Sequence, residues 1–334
     1  MKRNHITYVK NILIPCLLFS CITGILTGGL IFAFKLAVLY AIRLSGQAYD
    51  FARANPVWIP LLLAGAAALG GIAGFLLRRS KNCRGGGIPT SVALLRGLIE
   101  FSWLKNIVLL LSASMMTYLC GVPLDNEGPS VQMGTAVGRG AVRMFAKKHR
   151  AWDRYVMTGG ACAGFAAATG APVTGIFFAF EEAHRRFSPM IFMTASMTVV
   201  ASAATMNFLC GLVGISSAMF GFTVNAVLPL HSIWIAIIIG WLCGGAATLF
   251  TKLYSACEHW LEHHLNRMPL IIKFMIIFVA VAMIGLISAH CVGTGHHLID
   301  ELIEGNGVWY MLIVYFCIRA ILLVVATHLH GAFH

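Results

Sequence analysis

Long apolar segments recur along the chain and constrain its fold more than any other feature. A helix needs about 20 apolar residues to cross the hydrocarbon core of a bilayer. Lipid offers no hydrogen-bond partners, so a single spanning segment must pair its own backbone groups by forming a helix. The sequence therefore predicts an all-α, multi-pass integral membrane protein. The clearest segments are 11–42, 57–77, 105–121, 155–180, 189–214, 230–250, 270–290 and 307–327.

Composition and charge agree with a membrane protein whose main surroundings are the lipid bilayer. Charged residues make up 11% of the chain and hydrophobic residues 59%, whereas soluble domains carry about 25% charged residues. The net charge of +12 does not indicate a nucleic-acid partner, because Lys and Arg cluster at the ends of the apolar segments. That pattern predicts that the N-terminus, the 78–84 loop and the 185–186 end face the cytoplasm.

The metal-ligating residue types predict neither a metal site nor a disulfide framework. The ten cysteines occur singly within apolar segments, which is typical of small buried side chains. His259 and His263 have a spacing that a metal could use on one helix face, but the segment 257–267 fits a polar connector between two spans better. We expect no bound cofactor.

Glycine and proline interrupt three segments in a way that predicts broken helices. Gly170 and Pro172 divide the segment 159–182 into two short helices that meet at 169–172. The segments 85–97 and 126–138 each predict a Gly/Pro loop that opens a short helix. Broken helices of this kind line binding sites in transporters.

The two loops, "GGGIP" at 85–89 and "NEGP" at 126–129, are candidate anion-binding elements. A helix N-terminus exposes unpaired amides with a partial positive charge, and glycine allows a ligand to approach them closely. We predict that the two loops hold a small anion between them. The simpler alternative is a pair of turns between helices. The residues in question are Gly85, Gly86, Gly87, Ile88, Pro89, Gly128 and Pro129.

Acidic residues within apolar surroundings are the candidate proton-handling groups. Glu127 lies at a predicted helix N-terminus, where its carboxylate would compete with an anion and leave the site on protonation. A structural alternative is that it stabilises the helix dipole, by about 0.3–1 kcal/mol. Glu181 and Glu182 either pair with arginines four residues later or pass protons toward Glu127. Both alternatives stay open, and the two glutamates can differ, with one paired to arginine and the other passing protons.

Four segments together resemble the CLC family of chloride channels and proton/chloride antiporters. They are "GGGIP", "NEGPSVQMG" (126–134), "GAPVTGIFFAFEE" (170–182) and 227–252. The resemblance implies broken, tilted helices in an inverted-repeat architecture and a homodimer with an anion pathway in each subunit. It implies that chloride, or a similar small anion, and protons are the transported ions. We expect a location in the bacterial inner membrane.

The resemblance also assigns roles to residues. Glu127 matches the gating glutamate, 85–89 matches the first anion loop, and Gly128 and Pro129 belong to the second. Glu182 matches the internal proton glutamate of antiporters. Phe333, in "GAF" at 331–333, resembles the start of the family's GxFxP anion loop.

Two departures bear on the transported anion. Asp125 and Asn126 stand where the family usually has glycine and a basic residue, and Gly86 stands where many members have serine or proline. Anion selectivity is therefore open at this point.

The spacing of motifs suggests a duplication whose second copy is incomplete. Gly85 precedes Glu127 by 42 residues, and Gly293 precedes Phe333 by 40. We divide the chain into a first repeat at 1–215 and a partial second repeat at 216–334, with no CBS domains.

Three functions follow as hypotheses. The first is proton-coupled anion exchange gated by Glu127, and the second is a passive, voltage-gated chloride channel. The third is an inactive, truncated remnant of the family or an assembly partner. An enzyme is not expected, because no nucleophile–base pair stands out at membrane depth.

Overall fold

The computed structural model describes residues 13–84, 86–145, 152–219, 229–265, 268–303 and 309–331. Within these ranges the chain forms twelve α-helices and no strand. They are α1 (Ile14–Ala54), α2 (Ile59–Arg78), α3 (Ile88–Leu95), α4 (Trp103–Cys120), α5 (Glu127–Phe145), α6 (Asp153–Thr169), α7 (Pro172–Phe178), α8 (Pro189–Val213), α9 (Ile233–Leu265), α10 (Leu270–Ile287), α11 (His296–Ile303) and α12 (Trp309–Gly331).

The prediction of an all-α, multi-pass membrane protein is confirmed. Six of the described helices are long and apolar enough to cross a bilayer, namely α1, α2, α4, α8, α9 and α10. Two elements are longer than predicted. Helix α1 continues to Ala54 because Asn55 and Pro56 supply its first break. Helix α9 continues to Leu265, so most of the segment predicted to be a polar connector is helical.

Glycines on the helix surfaces allow the central helices to approach closely. A Cβ added to Gly134 of α5 would collide with the carbonyl of Gly160 in α6, and the reverse is also true. Gly28 of α1 lies in the same way against the backbone of Ser202 in α8, where an added Cβ would be 2.7 Å from the carbonyl oxygen. Close backbone approach through small residues is a main source of helix association in lipid.

The predicted break at 169–172 is confirmed. Helix α6 ends at Thr169, Gly170 adopts the left-handed region with φ +70°, and α7 begins at Pro172. After only seven residues α7 passes into a π-helical turn, Ala179–His184. The helix after the second loop differs from the prediction, since α5 is 19 residues long rather than short. Its polar residues Ser130, Gln132 and Thr135 are fully buried, so the helix does not need to be apolar throughout.

The basic loop after α2 is fixed to the end of that helix. Arg84 donates from Nε to the carbonyl oxygen of Leu77 (2.7 Å) and from a terminal nitrogen to that of Arg78 (2.9 Å). These bonds give two carbonyls at the C-terminus of α2 a side-chain donor, where the helix itself provides few partners. They also fix the chain just before the first of the two Gly/Pro loops.

All ten cysteines carry free thiols. Six are buried, as predicted for small apolar side chains, whereas Cys243, Cys257 and Cys317 are exposed on the surface of this single chain. These three lie on α9 and α12, whose outer faces carry exposed apolar side chains.

Candidate functional site

The two Gly/Pro loops meet backbone to backbone. An added Cβ on Gly128 would be 2.6 Å from the carbonyl oxygen of Gly86, and one on Gly87 would collide with the carbonyl of Gly128. Gly87 also has φ +73°, a conformation that other residues rarely adopt. Only glycine satisfies both conditions at position 87.

Each loop leads directly into a helix. Helix α3 starts at Ile88 with Pro89 in its first turn, where proline costs no hydrogen bond because those amides have no partner within the helix. Helix α5 starts at Glu127 and has Pro129 in its first turn. Because the loops are in contact, the starts of α3 and α5 lie beside each other. The geometry therefore places two helix N-termini at one point.

Glu127 is the first residue of α5 and its side chain is partly exposed. Among the described residues, no hydrogen bond or ion pair to its carboxylate is found. Its neighbours are held more firmly. The backbone carbonyl oxygen of Asn126 accepts hydrogen bonds from the backbone amide (3.1 Å) and the hydroxyl (2.7 Å) of Ser130. The backbone amide of Asn126 donates to Oδ1 of Asp125 (2.7 Å). The Glu127 carboxylate is thus free to move on a fixed backbone.

A buried polar cluster connects the residues just before the first loop to α5, and the sequence did not reveal it. Gln132 of α5 is fully buried and donates from Nε2 to the carbonyl oxygen of Asn82 (2.7 Å) and to Oδ1 of Asn106 (3.2 Å). The thiol of Cys83 donates to the same Asn106 oxygen (3.0 Å). A buried Gln and Asn on separate helices carry no shared motif, so only the fold could bring them together.

Glu181 and Glu182 lie in the π-helical turn, and both are exposed in this single chain. The turn packs beside α3 and α6. Neither glutamate forms a described ion pair with Arg185 or Arg186, so the alternative of pairing at i+4 is not seen in this structure. Arg185 ends the turn with φ +53°.

One side chain of the π-helical turn is tied to the helix bundle. Nε2 of His184 lies 2.8 Å from the hydroxyl of Thr158, which donates to the carbonyl oxygen of Arg154. The turn is therefore anchored at its end by His184, while the two carboxylates remain available for other partners.

Two predicted site residues, Gly85 and Phe333, lie outside the described residues. The described part of the chain also contains no group of three or more His, Cys, Asp and Glu side chains suited to a metal ion. The residues that the structure does bring together are Gly86, Gly87 and Gly128, with Glu127 beside them.

The helix content, the broken helices and the paired helix N-termini define a class of protein, the polytopic α-helical membrane proteins with interrupted spans. The chain belongs to the voltage gated chloride channel family, whose family profile matches residues 69–332. The resemblance to the CLC family is therefore confirmed.

Named relatives in bacteria agree with this membership. The chain is 26% identical over 313 residues to an H(+)/Cl(−) exchange transporter ClcA of Vibrio vulnificus (strain YJ016), covering 92% of this chain and 66% of the relative. It is 29% identical over 314 residues to ClcA of Cronobacter sakazakii, covering 91% and 66%. The chain thus spans about two thirds of the length of these relatives.

Solved structures share the fold. A slow cyanobacterial Cl−/H+ antiporter matches with a TM-score of 0.83 at 23% identity, covering 95% of this chain and 74% of that chain. A CLC-type fluoride/proton antiporter matches with a TM-score of 0.75 at 16% identity, covering 96% and 76%. At these identities the likeness shows the CLC-type arrangement of helices.

Proposed function

We propose that this protein exchanges a small anion, chloride or a close analogue, for protons across the membrane. The observation that carries the proposal is the backbone contact of the two Gly/Pro loops, with the unpaired carboxylate of Glu127 at the same point. Two helix N-termini present amides and partial positive charge to one position. Partial charges bind an anion weakly enough to release it again, which transport requires.

Glu127 acts as the gate in this proposal. Ionised, its carboxylate occupies the position in front of the helix amides and excludes other anions. Protonated, it loses its electrostatic attraction to the amides and turns aside, and an anion takes its place. Because its side chain has no described partner, this movement breaks no existing hydrogen bond or ion pair.

Glu182 is the proposed cytoplasmic proton donor and acceptor. Its exposed carboxylate in the π-helical turn is the observation that favours exchange over a passive channel, since a channel needs no second acid. The bacterial relatives are named as H(+)/Cl(−) exchange transporters, which supports the same choice. Glu181 lies beside it and serves as the natural comparison.

Several further features belong to the proposal. The protein works as a homodimer with one pathway in each subunit and lies in the inner membrane of a bacterium. The N-terminus, the 78–84 loop and the 185–186 end face the cytoplasm. The segments 1–215 and 216–334 correspond to a first and a partial second repeat.

The test is anion efflux from liposomes that contain the purified 334-residue protein, with external pH recorded in the same run and chloride and fluoride compared. We expect anion efflux to be accompanied by proton uptake into the liposomes. Glu127→Gln mimics the protonated gate, so it should keep anion flux and lose both its pH dependence and its proton coupling. Glu182→Gln should lose proton coupling alone.

The outcomes separate the hypotheses. Anion flux without proton movement in the unmodified protein would favour the passive channel. Folded protein that moves neither chloride nor fluoride would contradict the proposal and favour the non-transporting alternative.

A further inference from the structure

A cavity of about 700 Å³ lies beside Asn126, the residue before Glu127. It runs along the second half of α1. Its other walls are formed by the segment after α8, by residues of the segment 289–301 and by α12. Its lining is rich in charge. The Lys, Arg, Asp and Glu residues that line it are Lys35, Arg43, Asp50, Arg53, Glu301 and Arg319.

Lys35 is held on one wall of the cavity by neutral groups. Its ammonium nitrogen donates to the carbonyl oxygens of Ser216 (2.9 Å), Ser217 (3.3 Å) and Ala218 (3.4 Å). Carbonyl dipoles fix the position of the ammonium group, but they do not cancel its unit charge.

Arg319 is held in the same way on another wall. One terminal nitrogen donates to the carbonyl oxygens of His290 (3.0 Å) and Val292 (3.3 Å), and the other donates to that of Gly293 (2.7 Å). No carboxylate is described as a partner of Lys35 or Arg319. Two cations are therefore placed in one cavity by backbone contacts alone.

The acids of the cavity already have cationic or basic neighbours. Asp50 forms an ion pair with Arg53 at 2.8 Å, and Glu301 lies 3.3 Å from Nδ1 of His290. Four Lys and Arg side chains against two carboxylates give the lining a net charge of +2 with histidine neutral. A cavity walled by protein and with an excess of positive charge raises the local concentration of anions.

We propose that Lys35 and Arg319 form an anion-recruiting site that binds a small anion next to Asn126 before it reaches Glu127. The inference rests on the proposed function, and it adds a second, side-chain-based anion site to the site formed by helix amides. Because both cations are already hydrogen-bonded to carbonyls, the site binds an anion by charge rather than by enclosing it. Such an anion is readily passed on.

The test measures the chloride dependence of flux for the unmodified protein, Lys35→Gln and Arg319→Gln in liposomes. We expect the half-saturating chloride concentration to rise roughly three- to ten-fold in each variant, with the maximal rate kept. The difference should shrink in part when potassium gluconate raises the ionic strength, because Lys35 and Arg319 are partly exposed to the solution and salt screens such charges. Lys35→Arg keeps the charge and should behave like the unmodified protein.

Two further variants separate charge from structure. Asn126→Arg places a new cation at the same cavity, so combined with Lys35→Gln it should recover most of the lost affinity. Arg143→Gln is the matched control, because Arg143 is an exposed cation at the far end of α5 and should leave the chloride dependence unchanged.

The outcomes keep this inference distinct from the proposed function. An unchanged half-saturation in folded Lys35→Gln and Arg319→Gln would overturn the recruiting site and leave exchange intact, as would a loss that Asn126→Arg does not recover. If the unmodified protein moves no chloride, the proposed function fails. In that case chloride binding is measured by calorimetric titration. Weaker binding in Lys35→Gln and Arg319→Gln than in the unmodified protein would support the recruiting site. Equal binding in all three proteins, or no binding to the unmodified protein, would overturn it.

Discussion

The two Gly/Pro loops and the π-helical turn at Ala179–His184 carry the two halves of the proposed mechanism, yet they are held in opposite ways. The loops are fixed by backbone contact, at Gly87 against Gly128, and the buried side chain of Gln132 holds Asn82 just before the first loop. The turn presents two exposed carboxylates and is anchored through His184.

This difference determines which substitutions each region can accept. Where amides form a site, the position of the backbone determines its chemistry, so adding a single methyl group does more damage than removing a charge. Where a carboxylate carries a proton, the identity of the side chain determines function and the surrounding structure need not change. Substitutions that alter stability and substitutions that alter function should therefore separate between the two regions.

Gly87→Ala should have the largest effect on stability. The added Cβ collides with the Gly128 carbonyl and the backbone is held at φ +73°, which together should cost about 3 kcal/mol or more. We expect a large fall in the melting temperature of the detergent-solubilised protein and loss of anion flux.

Gly86→Ala is the matched control for that prediction. A Cβ there would meet only the ring of Pro89, at 3.6 Å, which is an ordinary contact. The variant should melt close to the unmodified protein. Equal melting temperatures for the Gly86 and Gly87 variants would show that the loops are not held by close backbone approach.

Gln132→Leu should have the next largest effect. It leaves the Asn82 carbonyl without its side-chain donor and Asn106 with one partner fewer, and an unsatisfied buried polar group costs about 1–3 kcal/mol. We expect a lower melting temperature together with a higher half-saturating anion concentration, because the chain just before the first loop loses its side-chain bond to α5. Gln47→Leu, at an exposed position on α1, should change neither quantity.

Sequence reasoning could predict the features that depend on local chemistry. Apolar length predicted the spans, and Gly170 with Pro172 predicted the break between α6 and α7, because each acts within a few residues. The starts of α3 and α5 were predicted for the same reason. That these two helix starts lie beside each other was predicted from the two Gly/Pro motifs, and the structure shows the contact.

Features that depend on distant residues could not be predicted. Asn106 and Gln132 form a buried cluster only because α4 and α5 pack together. Gln132 lies within the "NEGPSVQMG" segment, but nothing in that segment indicates that its partner is Asn106. The cavity walls formed by Lys35 and Arg319 come from segments almost 300 residues apart. The predicted ends of α5 and α9 came too early. Helix α5 continues to Phe145 because most of its polar residues are buried, and α9 continues through most of the histidine-rich segment to Leu265.

Glu182→Gln should have the smallest effect on stability and a large effect on coupling. An exposed side chain without a described partner contributes within about 0.5 kcal/mol to stability, so the melting temperature should not move. Proton uptake should be lost while anion flux remains, because the amide cannot accept and release a proton. Glu181→Gln places the same change one residue away in the same turn and should keep proton coupling. If both variants lose proton coupling, the turn acts through the combined charge of its two glutamates. If neither variant loses coupling, the proton enters elsewhere, and the contrast between the loops and the turn is wrong.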